Sequence, residues 1–350
     1  MGVFDRMDHF DYGELHLKRD AGTGMKALVA IHDTRLGPAL GGCRFIPYDS
    51  EDDAVVDALR LARSMTYKAS INGIPHGGGK SVIMRPKGEL DRTALFRAFA
   101  HFLEDLGGHY ITAEDSGTTV EDMEVIRSVT SYVTGVKPEN GGSGDPSPWT
   151  ARGVRRGIEA LCKHVFGRSD LEGTHVVVQG VGRVGYLLCQ ELHALGCKLT
   201  VADVDPLKAE RAQRELGAEV VELEAVFRVE CDVFAPCALG SALSDRTIPQ
   251  LRCAIVAGAA NNQLAFPHNG DDLYQRGIVY APDYAINGGG LINVASEVGG
   301  YDPEAVAERV EAVHDTVLEI AERAKAAQSP TNRIADTMAQ ERLRRAAAAR

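Results

Sequence analysis

Residues 180–185 read Gly-Val-Gly-Arg-Val-Gly, and this run constrains the fold more than any other in the chain. A valine-dense stretch, Thr174–Gln179, precedes it. A helical pattern, Val184–Leu195, follows, with Val184, Leu187, Leu188, Leu192 and Leu195 on one side and Glu191 the exception on that stripe. The order strand, glycine turn, helix is the context in which G-x-G-x-x-G carries meaning. The first glycine permits the turn, the second lets backbone approach a pyrophosphate, and the third lets helix and strand pack closely. Val181, Arg183 and Val184 complete the turn, and the helix start offers free N–H groups and partial positive charge to phosphates. The next apolar run, Leu199–Ala202, ends at Asp203. A carboxylate there accepts hydrogen bonds from ribose hydroxyls and repels a 2′-phosphate, which points to NAD rather than NADP.

Further apolar runs follow at Asp232–Ala235, Ala254–Ala257 and Ile278–Ala281, separated by helical or loop sequence. Short, nearly continuous apolar strands in that rhythm predict a parallel sheet covered on both faces, a doubly wound Rossmann-type α/β domain. Asp302-Pro303-Glu304 opens a long helix by a cap and a proline in its first turn, and a charged helix over about 332–345 follows.

The first half is also α/β. Strands are expected at Ala27–Ile31, Ser81–Met84 and Tyr110–Ala113. Helical spacing places Val55, Leu59, Ala62 and Met65 on one face, and Leu95, Phe99, Phe102 and Leu106 on another. Lys137–Pro148 (KPENGGSGDPSP) is almost without apolar residues and reads as a linker or a substrate-side loop. Two domains are therefore expected. The first spans 1–140 and is completed by the C-terminal helix 331–350; the second, the dinucleotide domain, spans 141–330.

Charge and cysteine content exclude several classes. Lys and Arg number 38 against 49 Asp and Glu, a formal charge of −11, with no basic face for nucleic acid or an anionic membrane. No stretch approaches the ~20 apolar residues of a membrane span. The first twenty residues have no apolar core like that of a secretory signal, and Arg6 breaks the myristoylation pattern. Seven cysteines, at 43, 162, 189, 197, 231, 237 and 253, form no Cys-x-x-Cys pair, so a reducing cytoplasm is expected and a metal site is not. The arginines at 342, 344, 345 and 350 read as a solvated helix face.

Chemistry is looked for in the first half. His76-Gly77-Gly78-Gly79-Lys80-Ser81 is not a phosphate loop, because position 74 is Ile and a strand, not a helix, follows. It reads as an exposed glycine loop that brings Lys80 close to something small. His76 beside it reads as a supporting residue. A crowded lysine loses proton affinity and can serve as a base near neutral pH. Lys68 closes a helical pattern, where it is either a carboxylate-binding cation or a solvated helix end. Asp115 follows a strand, either as an acid/base or as a turn former ahead of a Thr118-x-x-Glu121 capping box.

The chain resembles the glutamate/leucine/phenylalanine/valine dehydrogenase family. The resemblance rests on LGPALGG (36–42), DALRLARSMTYK (57–68), GGGKSVI (77–83), YITAEDSGTT (110–119), GDPSPWTARGV (144–154), VVVQGVGRVG (176–185), CDVFAPCALG (231–240), AGAANNQL (257–264) and GIVYAPDYAINGGGLINV (277–294). It implies NAD-dependent oxidative deamination of an amino acid, a small-molecule partner and a homo-oligomer, dimer to octamer, assembled through the first domain. It implies Lys68 as the ligand of the substrate carboxylate and Lys80 as the catalytic lysine that activates water. Asp115 becomes the proton shuttle at nitrogen, and the two lysines depress each other's pKa. Gly41 and Asn262 fall near the substrate amino group and the nicotinamide side; Cys237 and Ala238 fall in the cofactor cleft. The implied pocket is Leu40, Met65, Ala113, Thr134, Leu291 and Val294. These are mostly small or aliphatic residues, with no cation for a side-chain carboxylate. That composition favours leucine, valine and isoleucine over glutamate and, through Ala113 and Val294, over aromatic substrates. Leu291 is bulkier than the valine expected there, and Gly289 stands in the N-A-G-G stretch where another small residue is usual. A phenylalanine-type enzyme and a non-catalytic NAD-binding sensor are the alternatives. A sensor would have no use for Lys68, Lys80 and Asp115 together.

Overall fold

The computed structural model describes residues 2–10, 13–238 and 240–348. Two compact units are present. The first takes the chain through Gly144, Asn293–Pro303 and the residues from Ala339 on; the second is Asp145–Ile292 with Glu304–Met338. The switch after 140 thus falls at Gly144/Asp145. Asn293–Pro303, expected with the second domain, lies in the first, and only the later part of the C-terminal helix joins the first unit.

The first unit runs α1 (Val3–Phe10), β1 (Glu14–Arg19), β2 (Lys26–Asp33), β3 (Ala39–Ile46), α2 (Glu51–Ile71), β4 (Gly77–Met84), α3 (Arg92–Asp105), β5 (Tyr110–Glu114) and α4 (Val120–Arg127). Its sheet has five strands in the order β1-β2-β4-β3-β5. β2 is antiparallel to β1 and β4, while β3 runs parallel to β4 and β5. The pleat sends alternate residues to opposite faces. Ala39, Cys43, Phe45, Ile83 and Tyr110 pack with Phe96, Phe99 and Leu103 of α3. Leu28, Ala30 and Val82 pack on the other face against Ala54, Ala58, Leu59 and Ala62 of α2. α2 starts at Ser50, whose hydroxyl accepts the Asp53 N–H at 3.1 Å, and three acidic residues complement its first turn.

The second unit carries α5 (Ser147–Phe166), β6 (His175–Gln179), α6 (Arg183–Ala194), β7 (Lys198–Ala202), α7 (Pro206–Leu216), β8 (Glu219–Val220), β9 (Val233–Pro236), β10 (Ile255–Val256), α8 (Asn269–Gln275), β11 (Val279–Tyr280) and α9 (Asp283–Ile286). α10 (Gly289–Ala295), α11 (Pro303–Glu311), α12 (Val313–Ala327) and α13 (Thr331–Ala348) follow. The sheet order β11-β10-β9-β6-β7-β8, all parallel, is the doubly wound dinucleotide-binding order 3-2-1-4-5-6 read from β8. β10 and β11 pair over only two residues each, shorter than their apolar runs. The helix opened by Pro303 pauses at Ala312.

Several expectations are corrected. The glycine run 77–79 is not an exposed loop but the start of β4, buried in the sheet. The capping box of α4 is Thr119 with Asp122, one residue past the expected pair. Thr118 instead receives the Asp115 N–H at 2.8 Å. Arg342 does not lie on a solvated face: its guanidinium donates to the carbonyls of Ser70 and Ile71 at the end of α2. The Ser70 carbonyl also receives the Gly73 N–H at 3.1 Å, and a cation at this helix end meets the negative end of the helix dipole. Arg350 lies outside the described residues. Among the described residues, no helix is long and apolar enough to cross a membrane.

Candidate active site

Three consecutive glycines in a strand are locally unfavourable, so close neighbours must require them. A Cβ at Gly77 would lie 1.8 Å from the Asp33 carbonyl oxygen. At Gly78 it would lie 2.1 Å from the Thr66 nitrogen of α2, and at Gly79 2.6 Å from the Tyr110 ring. β2, α2 and β5 thus close around backbone, and Lys80 is the first residue of β4 with a side chain.

The Lys80 side chain is 7% exposed and forms an ion pair with the Asp115 carboxylate. The other Asp115 oxygen accepts the Ser116 N–H at 2.6 Å, which fixes the carboxylate's rotation. The turn carrying Asp115 is pinned to β3: Thr118 Oγ1 donates to the Cys43 carbonyl at 3.1 Å, and Phe45 N–H donates to the Ser116 carbonyl at 2.9 Å. Gly42 makes room for it, since a Cβ there would sit 2.7 Å from the Asp115 Cβ. Gly41 is equally constrained, at 1.8 Å from the Gly79 carbonyl oxygen. Its own carbonyl accepts the Tyr110 hydroxyl at 2.5 Å.

Burial pushes the Lys80 ammonium down to about 7, and the positive charge of Arg44 is the next cause. Cys43 and Asp57 act in the opposite direction, and Lys68 contributes a smaller lowering. The expected mutual effect of the two lysines is therefore present but secondary. The sequence reading missed Arg44, which is held by Asp57 of α2 at 2.7 Å and lies 3.9 Å from Asp115. Its signal was the strand period. Leu40, Gly42 and Arg44 alternate onto the α2 face of β3, but only once LGPALGG is read as leading into a strand.

On the same face stand Lys80 and Ala113. Leu40, buried, is in register with Gly78 and Ile111. Met65 and Lys68 are three apart and share a flank of α2, with Lys68 in its last turn. Thr134 is set apart. It is buried beyond the edge of β5, donates from Oγ1 to the Thr112 carbonyl at 3.2 Å, and lines a cavity of about 790 Å³ with Pro38, Ile111, Val136, Glu297 and Tyr301. Leu40, Met65 and Ala113 do not line that cavity. Leu291 and Val294 lie three apart on α10, both half-buried. Gly289 answers to packing: a Cβ there would lie 2.0 Å from the Trp149 carbonyl oxygen. His76 is buried with Nδ1 3.1 Å from the Pro38 carbonyl, a supporting contact.

In the second unit the glycine turn leaves β6 with Gly180 at φ +93° and enters α6 with Gly182 as an N-cap that has no side-chain partner. A Cβ on Gly182 would meet nothing within 4 Å, whereas one on Gly185 would lie 2.0 Å from the Gly180 carbonyl oxygen. The turn is thus tight behind and open in front, with free N–H groups at the helix start, which is the form of a pyrophosphate cradle. Asp203, after β7, accepts the Val181 N–H at 2.7 Å through one oxygen and the Asp205 N–H at 2.9 Å through the other. Its remaining lone pairs are left for ribose hydroxyls. Arg183 pairs with Asp145 at 2.6 Å and Val184 is half-buried. Cys237 N–H donates to the Gln179 carbonyl at 2.7 Å, and burial pushes its thiol up to about 12, so it packs rather than reacts. Ala238 crowds Gly180. Asn262 is exposed, has φ +52°, and lies in the loop beyond β10. These residues fit a dinucleotide.

Two family models match. Residues 12–132 match "Glu/Leu/Phe/Val dehydrogenase, dimerisation domain", and residues 206–350 match "Glutamate/Leucine/Phenylalanine/Valine dehydrogenase". The chain is 51% identical to a leucine dehydrogenase of Thermoactinomyces intermedius, over 98% of this chain and 94% of that protein. It is 43% identical to a valine dehydrogenase of Streptomyces albus, over 99% and 97%. Among solved structures, an L-tryptophan dehydrogenase from Nostoc punctiforme aligns with a TM-score of 0.89 at 42% identity, covering 98% of this chain and 99% of that one. With matches of this extent over both units, the chain belongs to the Glu/Leu/Phe/Val dehydrogenase family.

Proposed function

We propose that this chain catalyses the reversible, NAD-dependent oxidative deamination of branched-chain L-amino acids. The balanced reaction takes L-amino acid, NAD⁺ and water to 2-oxo acid, ammonium, NADH and a proton. The observation that carries this reading is the buried Lys80–Asp115 pair near Lys68, on a sheet face that also carries the aliphatic side chains of Leu40, Val82 and Ala113. The leucine and valine dehydrogenases among its relatives support the substrate class.

NAD would be held by the glycine turn, with Asp203 at its ribose, and would supply the hydride acceptor for the oxidation. The chain's own residues do the rest. Lys68 neutralises the substrate carboxylate, and the Gly41 carbonyl receives a hydrogen bond from the amino group. Asp115 takes and returns protons at nitrogen. Lys80, neutral once it has lost its proton, removes one from the water that attacks the imine carbon. Asn262 orients the nicotinamide side. Leu40, Met65 and Ala113, all in the first unit, select an aliphatic chain. One methylene is worth only about 1–3 kcal/mol in such a pocket, so leucine, valine and isoleucine share the site.

The tryptophan dehydrogenase likeness makes the aromatic alternative concrete. NADH consumption with ammonium should be fastest with 4-methyl-2-oxopentanoate and 3-methyl-2-oxobutanoate. Preference for phenylpyruvate or indolepyruvate would overturn the branched-chain reading, and no turnover on any 2-oxo acid would leave the sensor alternative. The deamination rate should rise with pH through about 7, because the base form of Lys80 is needed and burial holds its proton loosely. Since Lys80 and Asp115 touch, that limb belongs to the pair. A profile flat from pH 6 to 9 would remove Lys80 as the base. We further propose a homo-oligomer in solution, which light scattering should register as a multiple of the 37.6 kDa chain mass.

A further inference from the structure

We propose that Arg44 is a positioning residue for the reaction: clamped by Asp57 of α2, its guanidinium stands beside the Lys80–Asp115 pair and holds that pair in its working geometry. The inference rests on the deamination reading of Lys80 and goes beyond it, by assigning the group that sets when the lysine can act.

The clamp is built from the sheet and from the helix. Arg44 points from β3 to the α2 face, two residues after Gly42 and four after Leu40. Asp57 accepts from Arg44 Nη1 at 2.7 Å and from the Tyr48 hydroxyl at 2.6 Å. The Asp57 carboxylate therefore holds the guanidinium from one side, with Tyr48 holding Asp57. Arg44 Nη2 lies 3.9 Å from the Asp115 oxygen that meets Lys80. Arg44 Nε is buried with no hydrogen-bond partner, so the side chain is held by its terminal nitrogens alone. Asp57, Leu61, Met65 and Lys68 follow one flank of α2 at spacings of four, four and three. The residue that clamps Arg44 and the proposed carboxylate ligand are thus carried on one rigid stripe.

The charges facing Lys80 come from three sides. β3 contributes Arg44, α2 contributes Asp57 and Lys68, and the turn after β5 contributes Asp115. Arg44 is the largest of the charge effects that lower the lysine. A fixed positive charge near a buried ammonium favours loss of its proton. The same charge draws the Asp115 carboxylate, so that Asp115 does not bind Lys80 alone. Asp57 moderates the effect, because it neutralises part of Arg44 and itself favours the charged lysine.

Three variants of the full chain test this, read as the pH dependence of kcat for deamination. Independently of turnover, the pH dependence of Lys80 carbamylation by cyanate, quantified by peptide mass spectrometry, follows the lysine itself. R44Q should move both midpoints up by roughly one pH unit and lower kcat at pH 7 about fivefold. R44K, which keeps the charge, should leave the midpoints near wild type while kcat falls through lost geometry. D57N, which removes the opposing charge, should move the midpoints down. NADH binding, read by nucleotide fluorescence, should be unchanged in all three, which separates the effect from misfolding. Unchanged midpoints in R44Q, or shifts of the same sign in R44Q and D57N, would overturn the proposal. If wild type turns over no 2-oxo acid, the deamination reading fails, while carbamylation still decides whether Arg44 governs Lys80.

Discussion

Lys80→Ala should bind NADH as the wild type does and lose deamination activity by roughly 10³-fold or more, the upper range of a single general acid–base residue. The loss is large because nothing nearby can replace the lysine. A guanidinium does not act as a base in proteins, so Arg44 offers no substitute, and Asp115 loses its ion-pair partner when the ammonium goes. Binding should survive because Lys80 belongs to the first compact unit, whereas the turn Gly180–Gly185 and Asp203 belong to the second. The measurement is the initial rate of NADH formation from L-leucine and NAD⁺, paired with NADH fluorescence titration. Rates within tenfold of wild type would remove Lys80 from the mechanism. Loss of nucleotide binding as well would mean that the substitution damages more than the chemistry.

Gly41→Ala should be among the most damaging methyls in the first unit, alongside Gly77→Ala and Gly142→Ala. Its Cβ would lie 1.8 Å from a carbonyl oxygen of the neighbouring strand, and backbone there cannot step aside as a flexible side chain can. The expected cost is about 3–5 kcal/mol, above ordinary overpacking because two strands must separate. In thermal unfolding this corresponds to a fall on the order of 10 °C. Gly22→Ala is the control: its Cβ would meet only a side-chain oxygen at 3.5 Å, and its melting temperature should hold or rise slightly. Equal behaviour of the two variants would mean that strand separation at Gly41 is not what the glycine prevents.

The parallel sheet of the second unit was readable because its signals are local. Val176–Val178, Leu199–Ala202 and the glycine turn each announce themselves within a few residues, and the order of the sheet follows from their alternation. The roles proposed for Lys68, Lys80 and Asp115 likewise rest on long, local motifs. What escaped was whatever depended on distant neighbours. Gly77–Gly79 look like a loop, because the reason for them lies in Asp33, Thr66 and Tyr110, which are remote in sequence. β3 was hidden by its glycines for the same reason. Arg44 escaped with it, since its meaning depends on an aspartate thirteen residues on and on a turn seventy residues on. Arg342 was misjudged because its partners are carbonyls at the end of α2, 272 and 271 residues earlier. Thr118 was assigned Thr119's role because a capping pattern shifted by one residue still fits the sequence.

The side-chain-free start of β4 also bears on the order in which the protein folds. Glycine has the most conformational freedom to lose and no intrinsic preference for extended structure, so Gly77–Gly79 cannot nucleate. Their strand gains its place only from β2, about fifty residues earlier, and from β3 and α2 on either side. Pairing over such separations pays loop-closure entropy before contacts repay it. β4 should therefore join late, into a slot its neighbours have already formed. Until then Lys80 remains in water as an ordinary, fully protonated lysine. The unusual base and the finished sheet should emerge in the same step, and partly folded chains should carry no fraction of the activity.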